Sequence, residues 1–321
     1  MKLSSSPDVR ETTTESHDVS AVPLRHPWRW VMAFVLTAAF AVLAVSLWHN
    51  DNVNHPTITE FIFDSRILNG VVLTLVLTIV SMIISTVLAV LLAVMRLSNN
   101  PVMSGLSWLY IWAFRGTPLL IQIVFWGYLG LLYAQISLGV PFTGLTLFSI
   151  ETNTLISAFT AGLLALTLNQ AAYSAEIVRA GMLSVDQGQY EAAYSVGMSP
   201  GFTLFKVVLP QAMRVIIPPM GNETISMLKN TSLLSVIAVL EVYTVATQIS
   251  SQNLRQVELL VVVSCWYLFL TSVLSIPQYY LERHYGRGNA RSLPPTPIER
   301  LRATLARTRR ANRQPERTDA S

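Results

Sequence analysis

Long apolar runs alternate with short polar segments along the chain, and this pattern predicts membrane-spanning helices. Residues 28–48 form the first run, which has a tryptophan at each end and Arg29 as its only charge. Residues 67–95 form a second run without any charged side chain. A helix needs about 20 apolar residues to cross a bilayer, so each run is long enough to span one.

Four further runs raise the predicted number of spans to six. Residues 155–175 and 259–281 are nearly continuous, whereas residues 212–240 are interrupted by paired prolines and by Glu223 and Lys229. Residues 116–150 carry no charge but contain several glycines and prolines. Only about the first 20 of them are therefore predicted to form a helix, and the rest a loop. The pattern predicts an all-α polytopic bundle.

The composition agrees with a membrane protein. The 321 residues are 52% hydrophobic and 12% charged, whereas a soluble chain carries about 25% charged residues. This balance argues against a soluble enzyme. Cys265 is the single cysteine, so an internal disulfide cannot form, and the five histidines show no zinc-binding spacing. We expect neither a metal site nor a cofactor in this chain.

Both ends of the chain are polar. Residues 1–27 are rich in serine and threonine and lack hydrophobic periodicity, which is typical of a disordered tail. From Glu282 onward the chain carries ten arginines and four acidic residues. A basic tail directly after an apolar run is typical of a cytoplasmic segment beside anionic membrane lipid, and we favour this interpretation over nucleic-acid binding.

The positive charges predict the orientation. With both termini in the cytoplasm, most lysines and arginines fall inside, and only Arg66 and Arg255 fall outside. The chain is therefore predicted to be a multi-pass protein of the cell (inner or plasma) membrane. The longest polar stretch between spans, which includes a loop at about residues 184–212, then lies on the cytoplasmic side.

Two short helices at an angle are predicted in this loop. Residues 186–196 favour a first helix, and Gly197 supplies the positive φ that often ends one. Ser199 and Pro200 together favour a second helix start. The Leu-Pro pair that follows is predicted to end or turn this second helix.

On these residues the chain resembles the membrane subunits of ATP-binding-cassette (ABC) importers, whose cytoplasmic loop carries a Glu-Ala-Ala, Gly and later Leu-Pro signature. The resemblance implies that the loop forms coupling helices, which dock into a separate ATP-hydrolysing subunit and transmit its closure to the membrane helices. The ATPase-coupling residues that it implies are Glu191, Ala192, Ala193, Gly197, Leu209 and Pro210.

Three further segments resemble the polar amino acid branch of these permeases, namely FRGTPLLIQ, LNQAAYSAEIVRAGMLSV and MGNETISMLKNTSLLSVIAV. The resemblance implies a five-helix type I importer core, to which the first run adds an extra transmembrane helix. Asp186-Gln187 and Glu223 depart from the usual family pattern. The expected organisation is a tail (1–27), the extra helix (28–48), a permease domain (66–283) and a basic tail (284–321).

The resemblance also implies partners. An ATPase subunit, a second permease subunit in a homodimer or heterodimer, and an extracytoplasmic substrate-binding protein are expected, because one five-helix core cannot enclose a path alone. The chain has no phosphate-cradling G-x-x-x-x-G-K-S/T loop. ATP is therefore expected to bind to the partner, and this chain is not expected to be an enzyme.

Polar side chains within the spans are candidates for the substrate path. Asn169 and Tyr173 share a face of the fourth helix, next to Gln170. In the fifth span, Glu223 is predicted to meet the ammonium of a zwitterionic amino acid, and Lys229 or nearby amides its carboxylate. A structural ion pair is the competing interpretation. The path candidates are Asn169, Gln170, Tyr173, Glu223, Ser226, Lys229 and Asn230.

Two other features of the spans suggest specific structures. Pro218 and Pro219 are predicted to kink or unwind the fifth helix. Arg115 is interpreted as an anchor at the inner membrane interface, with a contact to the coupling loop as the lesser option.

The main functional alternative is a secondary ion-coupled transporter or a channel, with Glu176 and Glu223 as proton sites. The coupling-loop signature argues against this alternative. A membrane-embedded enzyme would need a histidine or aspartate cluster or a nucleophile with its base, and the sequence shows no such cluster.

Overall fold

The computed structural model describes residues 27–139 and 146–285. The chain divides into two units, Met1–Val53 and Asn54–Ser321. Residues 1–26 of the predicted N-terminal tail, and the basic tail from residue 286, lie outside the described residues.

The first unit contains helix α1 (Pro27–Trp48), at the position of the extra span. Nearly every described side chain of this helix is exposed, including Trp30, Phe34 and Phe40. A long helix that is apolar and exposed on all sides suits a lipid environment rather than water.

The second unit is a helical bundle with one small antiparallel hairpin of strands β1 (Gln135–Gly139) and β2 (Thr146–Glu151). Its longest helices form the bundle, and shorter ones connect them. In chain order the helices are α2 (His55–Phe61), α3 (Ser65–Arg96), α4 (Pro101–Gly116), α5 (Leu119–Gly127), α6 (Leu129–Leu132), α7 (Thr152–Leu155), α8 (Ala158–Leu183), α9 (Gln187–Ser195), α10 (Pro200–Thr203), α11 (Leu209–Asn230), α12 (Val242–Asn253) and α13 (Gln256–Tyr285).

Four helical segments in the described residues are long and apolar enough to cross a membrane, and there are five if the bent pair α4 and α5 counts as one span. The four are α1, α3, α13 and the continuous segment Pro200–Ile237. Helix α8 is not among them, since it carries several polar residues. Its 26 residues nevertheless run through the centre of the bundle. An all-α polytopic membrane fold is therefore confirmed.

Helix α8 packs against α3, α4, α5 and α11. Most of its buried positions are alanine or glycine. Small residues let helix backbones approach closely, and a Cβ at Gly181 would overlap with Ile216 of α11. The packing of the central helix therefore depends on the small size of its side chains.

Helix α12 is held between α3 and α13 by a buried cap. The Glu241 carboxylate accepts bonds from the Thr244 N–H at 2.7 Å, the Tyr243 N–H at 3.0 Å and the Tyr267 hydroxyl at 2.9 Å. The Glu241 residue is fully buried. Burial raises the pKa of Glu241 above its usual 4.5, although these hydrogen bonds act in the opposite direction.

The third predicted span was placed wrongly. The sequence prediction begins a helix at Gly116, whereas the structure ends α4 at that residue and starts α5 at Leu119, bent by 99°. Pro118 holds the preceding Thr117 in an extended conformation with φ −112° and ψ 139°, which breaks the helix. The prediction treated Arg115 as the edge of the span, but the bent span contains this charge. Beyond α5, the predicted loop contains α6, the hairpin and α7, with residues 140–145 not described.

The predicted loop helices are present, but the second does not end where it was expected to. Asp186 and Ser199 cap α9 and α10, and Gly197 between them has a φ of 79°. The helix then continues through a wide π turn (Leu204–Val208) directly into α11. Pro210 lacks an N–H and crowds the preceding turn, and a wide turn just before it accommodates both effects.

Of the kink or unwinding predicted at Pro218 and Pro219, unwinding does not occur, since α11 remains helical through both residues. The irregular segment lies further along, where a 3₁₀ turn (Thr231–Ile237) ends at Ala238 in the left-handed conformation with φ 59°. This turn brings the chain round to the cap of α12.

Candidate functional site

The break between α4 and α5 is stabilised by one side chain. The Nε2 group of Gln122 on α5 donates to the Phe114 carbonyl at 2.9 Å, the Thr117 carbonyl at 3.1 Å and the Thr117 hydroxyl at 2.7 Å. These acceptors lie at the end of α4, where carbonyls lose their helical partners. The Gln122 side chain is buried, so the bent segment is fixed from inside the bundle.

Helix α8 adds a second amide to the same break. The Nδ2 group of Asn169 donates to the Phe114 carbonyl at 3.1 Å and to Gln122 Oε1 at 3.3 Å. Asn169 is itself buried. The two amides therefore satisfy backbone groups that hydrocarbon would leave without partners.

A polar cavity of about 450 Å³ lies beside this break, between the α4–α5 turn, α8 and α11. It combines one cation, one carboxylate, three side-chain amides and two hydroxyls with the backbone of the broken turn. Its lining residues, which define the polar cavity hereafter, are Arg115, Gly116, Thr117, Pro118, Leu119, Asn169, Gln170, Tyr173, Glu223, Asn230 and Leu233.

The carboxylate of the polar cavity is oriented by α8. Gln170 Nε2 donates to Glu223 Oε2 at 3.0 Å and to the Ser174 hydroxyl at 3.1 Å. No cation among the described residues forms an ion pair with Glu223. The carboxylate thus retains acceptor capacity for a cationic ligand.

The cation of the polar cavity is Arg115. Its guanidinium lies 5.3 Å from the centre of the Tyr173 ring, which is cation–π distance. Within the part of the chain that the structure describes, Arg115 forms no hydrogen bond or ion pair, so its donors remain available for an anionic group.

Five of the seven predicted path residues line the polar cavity. These are Asn169, Gln170, Tyr173, Glu223 and Asn230. The other two, Ser226 and Lys229, do not line it, and Lys229 is exposed. Six residues turn a helix by about 600°, which directs Lys229 roughly a third of a turn away from Glu223.

Sequence reasoning missed two members of this region, Arg115 and Gln122. Arg115 was interpreted as an interface anchor, because the bend that places it beside α8 is not visible in a hydropathy pattern. Gln122 is the last residue of the FRGTPLLIQ segment, for which the sequence predicts no individual role. A signal for both was the Gly-Thr-Pro sequence between them, which predicts a helix break with carbonyls that need donors.

The loop that carries the predicted coupling residues projects apolar side chains. Glu191 and Ala192 are exposed on α9, and Ala193 is buried at 5% exposure. Large apolar residues nearby are also exposed, namely Tyr194, Val196, Phe202 and Phe205. Gln211 on α11 donates to Gln189 on α9 at 3.2 Å, which ties the loop to the bundle.

A bundle of membrane-crossing helices with a polar cavity at a helix break defines a membrane transport protein. The family of binding-protein-dependent transport system inner membrane components matches residues 85–287. The chain belongs to this family, and the family predicted from its sequence motifs is confirmed. It is a membrane permease subunit and acts in transport.

Named relatives are consistent with this assignment. The chain is 46% identical over 283 residues to the arginine transport system permease protein ArgU of Corynebacterium glutamicum, covering 88% of each chain. It is 39% identical over 180 residues to the L-cystine transport system permease protein TcyB of Bacillus subtilis, covering 56% of this chain and 69% of the relative.

Solved structures share the fold. A crystal structure of an amino acid ABC transporter with histidines matches with a TM-score of 0.61 and 31% identity, over 72% of this chain and 99% of the other. An inward-facing structure of the MetNI methionine ABC transporter matches with a TM-score of 0.54 and 18% identity, over 73% and 99%. The second likeness concerns the fold alone.

Proposed function

We propose that this permease imports amino acids with a cationic side chain, and that the polar cavity is where the substrate crosses the membrane. The single observation that carries the proposal is the pairing of opposite charges in one cavity, with Glu223 and Arg115 both on its wall. An amino acid also carries both charges. Ionisable groups within membrane-spanning segments are costly, which favours a functional reason for each.

The roles of the two charges follow from their surroundings. Glu223 is held by Gln170 and has no cationic partner among the described residues, so it is suited to receive an ammonium or guanidinium group. Arg115 offers a planar set of donors that matches a carboxylate. In this arrangement Arg115 binds the substrate carboxylate, the role that the sequence predicts for Lys229 or nearby amides.

The preference for a cationic side chain is supported by a relative. ArgU, which is named for arginine transport, covers 88% of this chain at 46% identity. A cavity of about 450 Å³ also has room for a long side chain together with water. Other relatives are named for cystine and glutamine, so comparing arginine with glutamine tests the charge preference.

The test is uptake into proteoliposomes by the complex that co-purifies with this chain. Glu223→Gln is expected to reduce arginine uptake by about tenfold or more, because a charge-assisted hydrogen bond is lost, with a smaller effect on glutamine. Glu60→Gln, at an exposed position on α2, is the matched control. Arginine uptake at the normal rate by the Glu223→Gln complex would contradict the proposed role.

We further propose that α9 and α10 couple the permease to a separate ATPase subunit. The exposed Glu191 and the neighbouring apolar side chains support this, since exposed apolar patches on otherwise packed proteins mark partner surfaces. The ordered Gly197 turn holds the two short helices at a fixed angle. A second permease subunit and an external binding protein complete the proposed complex.

Coupling is tested by Glu191→Lys. The variant is expected to lose uptake and co-purification of the ATPase, because the charge reversal lies on the proposed contact. The control is Gln252→Lys, at an exposed position on α12, the helix next to α13.

Uptake that persists after ATP depletion with an ion gradient maintained would favour the ion-coupled alternative. In that alternative Glu176 is a poor proton site, since it pairs with Arg179 at 2.7 Å.

We propose that the ends of α3 and α8 that adjoin α9 face the cytoplasm, as do both termini. The distribution of lysine and arginine supports this orientation. In a Cys265→Ser background, labelling of single cysteines placed at exposed Asn99 and exposed Asn52 with a membrane-impermeant reagent tests it. Only the cysteine at position 52 is expected to react from outside the cell.

A further inference from the structure

A second cavity of about 440 Å³ lies between α3, α4 and α8, next to the polar cavity. It differs in chemistry because arginines and tryptophans dominate its wall. Its lining residues, which define the arginine cavity, are Arg96, Trp108, Ile111, Trp112, Arg115, Gly116, Tyr173, Glu176 and Arg179.

The charges of the arginine cavity do not balance. Glu176 pairs with Arg179 at 2.7 Å. Arg96 donates to the Ser104 hydroxyl at 3.0 Å, and Arg115 stacks on Tyr173, so neither guanidinium meets a carboxylate among the described residues. Two positive charges are left over at the edge of a low-dielectric bundle, where a bound anion stabilises them.

Two exposed tryptophans lie on the wall of the arginine cavity. Trp108 and Trp112 lie one turn apart on α4 with their rings stacked, 6.2 Å between centroids and 16° between planes. They are 50% and 62% exposed. Tryptophan is enriched where hydrocarbon meets headgroups, so this exposed pair suits a lipid-facing rim.

The depth of the arginine cavity fits a membrane surface. Arg96 is the last residue of α3, and Arg179 lies about one turn before the end of α8, where the chain passes to α9. Under the orientation proposed above this end faces the cytoplasm. The cytoplasmic leaflet carries anionic lipids, and basic pockets between helices on that side are suited to their headgroups.

We propose that the arginine cavity binds the headgroup phosphate of an anionic phospholipid, with Arg96 as its ligand, the nearby positive charge of Arg115 adding to the attraction, and the acyl chains lying along Trp108 and Trp112. The shared chemistry is that of a phosphate oxyanion, for which guanidinium forks are well matched. A lipid is favoured over free phosphate because the cavity opens beside exposed aromatic side chains. This site rests on the proposed membrane orientation but not on the proposed substrate.

The test uses the purified complex in vesicles of phosphatidylcholine, with or without phosphatidylglycerol. Lipid that remains with the complex is measured by native mass spectrometry, and Tm is followed as phosphatidylglycerol is added. Arg96→Gln is expected to weaken the apparent affinity by about tenfold, because one charge-assisted bond is lost. Arg66→Gln, at the opposite end of α3, is the matched control and should leave the affinity unchanged.

A second variant is expected to change the retention of phosphatidylglycerol in the opposite direction. Glu176→Gln removes the only carboxylate that lines the cavity in the described residues and frees Arg179, so phosphatidylglycerol retention is expected to increase. A purely structural role of these residues would lower Tm in both variants without a lipid-dependent difference. The pair of variants therefore remains informative even if Arg96→Gln folds poorly.

Three results would overturn the proposal. One is equal retention of phosphatidylglycerol by wild type and Arg96→Gln. Another is a Tm increase with inorganic phosphate that matches the increase with phosphatidylglycerol, which would make the ligand a free oxyanion. The last is a changed KM for uptake in Arg96→Gln with unchanged lipid retention, which would assign the cavity to the transport path. Loss of the Glu223 effect alone would leave the lipid site intact.

Discussion

The side-chain amide of Gln278 on α13 donates to the carbonyl of Pro218 on α11 at 2.7 Å. The same Nε2 group donates to Glu282 at 2.8 Å, so the side chain is fixed from two directions. Gly221 leaves the space that the amide occupies, since a Cβ at that position would overlap with Gln278. The contact joins the proline-containing part of α11 to the last long helix.

Gly221→Ala is expected to lower stability by about 1–2 kcal/mol, because the added methyl displaces an amide that makes two hydrogen bonds. Thermal unfolding in one fixed detergent measures the change. Combining Gly221→Ala with Gln278→Ala should restore part of the loss, as expected for residues in contact. Gly201→Ala, where a Cβ meets nothing within 4 Å, is the control. Strict additivity of the two substitutions would contradict the contact.

Two glycines on long helices are expected to respond to alanine with opposite signs. A Cβ at Gly70 of α3 would lie 2.8 Å from the Val242 Cα, which is backbone and cannot rotate away. Gly70→Ala should therefore destabilise the fold by about 2 kcal/mol or more. Gly105→Ala on α4 has open space and should stabilise by up to about 1 kcal/mol. Unfolding midpoints that shift in the same direction would contradict this packing.

Gln122→Met tests whether the helix break supports transport. The substitution keeps the length of the side chain but removes all three donations to the Phe114 and Thr117 groups. Because the α4–α5 turn forms a wall of the polar cavity, uptake is expected to fall by about tenfold, with a lower Tm. Gln252→Met, at an exposed position on α12, should change neither quantity. Normal uptake together with a lowered Tm would limit Gln122 to a structural role.

Glu241 is expected to make stability fall as pH rises. Its folded pKa is raised by burial, so above its ordinary value of 4.5 the unfolded chain loses this proton before the folded chain does. The folded state is then progressively disfavoured until the buried carboxyl also ionises. Glu241→Gln should remove this part of the pH dependence of Tm, whereas Glu60→Gln at an exposed position should retain it. An identical pH profile for wild type and Glu241→Gln would contradict the raised pKa.

Much of the site region is visible in the sequence because its signals are local. The caps Asp186 and Ser199 and the positive φ of Gly197 follow from side chains that bond to their own backbone. Asn169, Gln170 and Tyr173 were identifiable since polar residues within an apolar span are costly without partners. The bend at Thr117 was missed, because the prediction took Arg115 to be an anchor at the inner membrane interface and began the span at Gly116.

The sequence by itself determined the membrane character, the apolar spans other than the third, the loop helices and the family, since each depends on residue types within a short window. Only the tertiary structure decided which polar residues meet. Arg115 and Glu223 are 108 positions apart, and they face one cavity because the α4–α5 bend and the packing of α8 bring them together. Lys229 is close to Glu223 in sequence but points elsewhere. The direction of a side chain depends on helix rotation and packing, which a linear pattern of polar residues does not fix.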